Sequence, residues 1–217
     1  MRYALAFILV LGALPVRAQV PRSSCAAADS LVGPTKKPPQ LRSSLDKLTD
    51  TLVLTGKQLD FGTSFLTHDV IGLQLEIRGS GKTPNADSRP FFYLSTFRYG
   101  SKTTTTDQRI LSDSVVLTFL LDDSVRFRLS EHVGKVRTGN NVMAGDWVGE
   151  DFWFPVTEAQ VLAIARARSG LAGVAGYRGK LKKEFIQSAA DIFRVLVCRK
   201  ENAGAGAGPL LDRQGSI

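Results

Sequence analysis

The side chains best suited to chemistry are few: two cysteines and two histidines in 217 residues. Cys25 and Cys198 stand near opposite ends of the chain, and His68 and His132 are also far apart. None of them has metal-ligand spacing, so the histidines read as surface or structural residues and no metal site is assigned. Asp122-Asp123 lacks the D-x-[DN]-x-[DN]-G pattern of a calcium loop and reads as a hairpin turn. No G-x-S-x-G elbow marks a nucleophile, and Ser64, Ser112 and Ser130 read as ordinary loop or strand-edge serines. Gly81-Lys82-Thr83 matches the end of a Walker loop. The first glycine of that pattern would fall at Glu76, however, and Pro84-Asn85 stands where a helix should begin. Glu76, Asp146, Glu150 and Asp151 are the carboxylates that a glycosidase could use if folding set two of them across a cleft. No catalytic residue and no cofactor is assigned, and the chain is not read as an enzyme.

Two sets of residues fit binding better than catalysis. One is aromatic: Phe91, Phe92, Tyr93, Phe97 and Tyr99 in one segment, then Trp147, Phe152, Trp153 and Phe154. Alternate residues of a strand face the core. The remainder, with Tyr93, Phe97, Tyr99, Trp147 and Trp153 as candidates, would suit a sugar, lipid or protein partner. The other set is basic: Arg126, Arg128, Lys135 and Arg137 on two neighbouring strand candidates, then Lys180, Lys182 and Lys183. On one face they could meet an anionic surface, and they equally suit a solvated sheet face. Gly145-Asp146-Trp147 resembles the G-x-W of lipocalins. In that family the motif opens the barrel, whereas here it comes late, and no ligand-binding residue is carried across.

The elements that must position these residues follow from periodicity. Leu73, Leu75 and Ile77 alternate with Gln74, Glu76 and Arg78, and Val125, Phe127 and Leu129 alternate with Arg126, Arg128 and Ser130. Phe91–Tyr99, Val115–Leu121, Thr51–Leu59 and His132–Thr138 are further strand candidates. The segments 79–85 and 138–141 read as loops. Pro155 limits Phe152–Val156 to an edge strand. Thr157 and Gln160 form a capping box, with Val156 and Val161 spaced as its hydrophobic staple. The helix that follows stops at Gly170. Val174–Tyr177 and Leu181–Ile186 flank Gly179-Lys180 as a hairpin, and a short amphipathic helix or a terminal strand closes the chain. The expectation is an α+β fold: a mainly antiparallel β sandwich or open barrel followed by a strand–helix–hairpin–helix unit.

The ends set the address. Met1-Arg2-Tyr3, the apolar run from Ala4 to Leu14 and Pro15-Val16-Arg17-Ala18 have the layout of a secretory signal peptide over residues 1–18. The apolar run falls short of the roughly 20 residues of a membrane span, so no span is expected in the mature chain. Residues 19–45 read as a flexible arm, 46–200 as one globular domain, and 201–217 as a flexible Gly/Ala-rich tail. Cutting after Ala18 removes Arg2 and Arg17 and no acid. The formal charge then falls from +8 to +6, with 26 basic against 20 acidic residues.

An exported chain with two cysteines is expected to pair them, Cys25 with Cys198, the alternatives being a lipid anchor at Cys25 or two free thiols, and to work in the periplasm or outside the cell. There nucleic acid is not an expected partner. The leading functional expectation is a non-catalytic binding or scaffolding domain of the cell envelope, whose partner is a protein or an envelope polymer. The alternatives are a carrier of small apolar ligands in a β-barrel cavity, or an envelope hydrolase.

Overall fold

The computed structural model describes residues 26–34, 41–64, 69–100, 111, 115–141 and 145–205. Among them α1 (Ala26–Val32) is followed by β1 (Arg42–Asp46), β2 (Thr51–Thr55), β3 (Leu59–Ser64), β4 (Asp69–Ser80) and β5 (Arg89–Gly100). Next come β6 (Leu117–Leu121), β7 (Val125–Leu129), β8 (Val133–Asn141) and β9 (Gly145–Pro155). The chain ends in α2 (Glu158–Arg166), the hairpin of β10 (Gly170–Val174) and β11 (Tyr177–Lys180), and α3 (Lys183–Ala205). This is the expected α+β order, antiparallel strands and then strand–helix–hairpin–helix.

The strands form two antiparallel sheets that do not close into a barrel. The large one runs β1-β2-β4-β5-β9-β8, with β3 also paired to the long β4, and the small one runs β11-β10-β6-β7. Alternation decides what meets between them. Ile71, Leu73, Leu75 and Ile77 of β4 and Phe92 and Leu94 of β5 point inward and are buried. From the small sheet Leu117, Phe119 and Leu121 do the same. Phe119 stacks on Phe92 with ring centres 4.8 Å apart and on Phe127 at the same distance, and Phe185 of α3 lies over Phe92 at 6.4 Å. One inner face of the large sheet is thus covered jointly by the small sheet and by α3. Burying each such ring is worth about 1.5–3 kcal/mol.

The capping box is present as read. The Gln160 N–H donates to the Thr157 hydroxyl at 3.2 Å, and the Thr157 N–H donates to Gln160 Oε1 at 2.9 Å. Val156 and Val161 are both buried beside it.

Several boundaries differ from the sequence reading. The segment 19–45 is not all flexible arm. Ala28 of α1 is fully buried, Arg166 Nε donates to the Leu31 carbonyl at 2.8 Å, and β1 is zipped to β2 in register. Buried contact outweighs a Pro/Ser/Lys-rich composition there. Residues 201–205 belong to α3, which continues to Ala205.

The hairpin turns at Ala175-Gly176, whose φ of +46° and +87° give the left-handed turn that Gly accepts readily. Gly179 instead lies in β11. A Cβ there would meet Phe61 at 3.3 Å, so its absence lets the two sheets approach. Gly170 opens β10 rather than ending α2, which stops at the extended Ala167.

Pro155 does not confine its segment to an edge. β9 lies between β5 and β8, and Pro155 is merely its last residue, where a missing N–H costs little. Residues 138–141 continue β8 instead of forming a loop. Cys25, His68, Ser112 and the signal segment 1–18 lie outside the described residues.

Candidate functional site

The outer face of the large sheet is where the aromatic candidates gather. Register sets Tyr93 of β5 opposite Trp153 of β9, and Tyr99 opposite Trp147. Phe97 meets Trp147 diagonally. The Tyr93–Trp153 and Phe97–Trp147 pairs are each stacked at 5.3 Å with planes 27° apart. All four side chains are half-buried, so each ring is packed yet keeps an accessible surface.

Glycines make the floor for one of these rings. A Cβ on Gly139 of β8 would lie 2.6 Å from the Trp147 indole, and one on Gly149 would lie 3.5 Å from it. At Gly139 the indole therefore lies down on backbone that only glycine leaves bare, whereas the contact at Gly149 is ordinary packing. Arg78 sits 4.9 Å over the Trp153 ring as a cation–π partner.

Charged groups interleave with the rings. Asp151 accepts from the Tyr93 hydroxyl at 2.6 Å and from Arg137 Nη2 at 2.9 Å, and Arg137 Nε closes a second contact at 2.5 Å. Burial, followed by the hydrogen bond to Asp151 and its charge, pushes the Tyr93 phenol well above the usual range. Tyr93 thus keeps its proton at any physiological pH and acts as a donor.

Glu76 is only 2 % exposed. Burial pushes its carboxyl up, and the Arg78 guanidinium, whose Nε lies 2.6 Å away, opposes that. The Trp153 N–H also helps hold the Glu76 charge. It is itself buried, and no hydrogen bond of good geometry satisfies it. The two observations agree on a near but imperfect contact.

The remaining chemical candidates are not brought together into a site. Glu150 is fully buried on the inner face, where it accepts from the Leu111 N–H at 2.8 Å and from Thr96 at 3.2 Å. It pins Leu111 to the core. His132 packs its ring 5.3 Å from Phe152 and 5.2 Å from Phe154. Asp122 accepts from the Ser169 and Arg168 N–H groups at 2.8 and 3.0 Å, which holds its carboxyl below the usual carboxylate range. Asp122 and Asp123 have φ of +46° and +57°, so the turn reading of this pair holds. Among the described residues no group of three or more His, Cys, Asp or Glu could hold a metal ion.

The basic candidates separate. Arg126 and Arg128 lie on β7 of the small sheet, whereas Lys135 and Arg137 lie on β8 of the large sheet, and the two strands are not neighbours. Local alternation showed which residues share a strand face but not which strands share a sheet. Three groups on or beside these faces are not marked by the sequence pattern: Gly139, which lies in β8 rather than in a loop, the Glu76–Arg78 pair as part of an aromatic surface, and Arg178. For Glu76 and Arg78 the signal was present, since both fall on the polar side of the β4 alternation.

No protein-family model, no curated protein and no solved structure matches this chain. Among the described residues no helix is long and apolar enough to cross a membrane.

Proposed function

We propose that this chain is an exported, non-catalytic binding domain of the cell envelope that holds an extended glycan strand along the outer face of its large sheet. One observation carries the reading: two stacked, half-buried aromatic pairs, Tyr93–Trp153 and Phe97–Trp147, on the sheet face opposite the buried core. Flat rings suit the apolar faces of sugar rings. Arg78, Arg137, Asp151 and the Tyr93 hydroxyl supply fixed donors and acceptors between them. The rings are held by neighbours before any ligand arrives, which limits the entropy lost on binding.

A protein partner is the second reading. It is favoured by β8, an edge strand that leaves Val133 71 % and Val136 44 % exposed and could accept an added strand.

Co-sedimentation of the mature protein with purified envelope glycan, followed by tryptophan fluorescence, tests the first reading. Trp147→Ala is expected to weaken retention about tenfold, the size of one aromatic contact, with unchanged far-ultraviolet circular dichroism. Glycan retention that both Trp147→Ala and Trp153→Ala leave intact overturns it. A cross-linked protein mapping to β8, with no glycan retained, replaces it with the second.

A further inference from the structure

The small sheet also has an outer face, and its chemistry is different. Register across β11, β10, β6 and β7 lines up two rows on that face. One is Lys180, Leu171, Leu120 and Arg126, and the other is Arg178, Gly173, Thr118 and Arg128. With strands about 4.8 Å apart, the cations at the two edges face each other across roughly 14 Å. All four cations are exposed, and none has an ion-pair or hydrogen-bond partner among the described residues. No acid stands in either row.

Acids lie at its margins, among them Glu131, just past the end of β7. Asp122 is spent on the Arg168 and Ser169 backbone. Asp123 sits in the β6–β7 turn, and Asp60 and Glu184 line the groove beside β11 together with Arg178, Lys180, Lys182 and Lys183. Between the cationic edges the centre is apolar, with Leu171 42 % exposed and Leu120 half-buried.

We propose that this face docks on an anionic lipid surface. The four cations take headgroup phosphates at the two edges, and Leu171 enters the headgroup boundary between them. A solvated strand face needs charge but not an exposed leucine ringed by unpaired cations, and a soluble polyanion gains nothing from an apolar centre. A bilayer surface uses both, through electrostatic attraction to its acidic headgroups and burial of apolar area just beneath them. The inner faces of both sheets turn toward the shared core, so the cationic face and the aromatic face look away from each other. Either can be occupied while the other is free, and failure of one reading leaves the other standing.

Vesicle flotation with the mature protein tests the proposal, using phosphatidylcholine vesicles with or without about a third phosphatidylglycerol. The protein is expected to float only with the anionic vesicles and to be released by salt, because a surface potential acts within a Debye length. Arg126→Glu/Arg178→Glu, which reverses one cation on each edge, should lower partitioning at least about twentyfold, since each surface cation accounts for about fivefold. Arg42→Glu/Lys47→Glu makes the same charge change around β1 and should leave partitioning within about twofold, on the same electrostatic argument. Leu171→Ser should weaken vesicle binding but not binding to soluble polyphosphate. Equal flotation with neutral vesicles overturns the proposal, as does wild-type binding by Arg126→Glu/Arg178→Glu. Polyphosphate binding as tight as vesicle binding, with Leu171→Ser indifferent to both, overturns it in favour of a soluble polyanion.

Discussion

Glu76 shows how burial turns an ordinary surface residue into a pH-sensitive one. Its pKa in the folded chain lies above the ordinary 4.5 because burial disfavours the charge more than Arg78 and Trp153 restore it. The folded state therefore binds this proton more tightly than the unfolded state. As pH rises through the raised value, stability is lost, and well below 4.5 the two states are protonated alike. Glu76→Gln mimics the neutral acid. Its melting temperature is expected to exceed that of the parent at pH 7, with the gap closing by about pH 4 as the parent is protonated. Calorimetry at the two pH values reads this directly, and a parent that is more stable at pH 7 would refute it. Gly139 makes a steric case at the same scale. An added methyl would sit 2.6 Å from the Trp147 indole, so Gly139→Ala must lift the ring. We expect a loss of about 1–3 kcal/mol, as for other overpacked sites, and a red-shifted tryptophan emission. Neither effect was legible in the sequence beyond the alternation that sets Glu76 on the polar side of β4. Burial of the carboxylate and the floor beneath the indole both depend on β5, β8 and β9 lying alongside.

At the scale of elements, local signals and tertiary contacts divide the work. The α2 start was readable because its chemistry is local: Thr157 and Gln160 satisfy each other's backbone groups within one turn. Thr157→Ala is expected to cost about 1 kcal/mol, measured by urea denaturation with an unchanged slope. α1 was not readable. Its seven residues are too few to be stable alone, and it stands because Arg194 of α3 reaches Asp29 at 3.2 Å and the Gly33 carbonyl. β9 was misread for a related reason. Pro155 signals an edge, yet it falls on the last residue, and residues 146–153 are paired on both sides.

For the whole molecule, the two cysteines give the most direct prediction. α1 meets α3 at Asp29 and Arg194. Cys25 lies four residues before Asp29, and Cys198 lies four residues after Arg194. We propose that the chain is exported and joins Cys25 to Cys198, which would fasten the N-terminal segment to the last helix. In the chain-entropy picture so long a loop contributes roughly 4–5 kcal/mol. Denatured, unreduced mature protein should then show no titratable thiol and should melt lower after reduction. Two titratable thiols would refute the bond. By itself the sequence determined the α+β order, the strand faces and the capped helix, because period-two alternation and capping act within a few residues. It also raised the expectation of export, through the layout of residues 1–18. Only the tertiary structure decided that Tyr93, Phe97, Trp147 and Trp153 form one surface, and that Arg126 and Arg128 share another with Arg178 and Lys180. Which strands become neighbours is settled by burial of the shared core, and no local pattern records it.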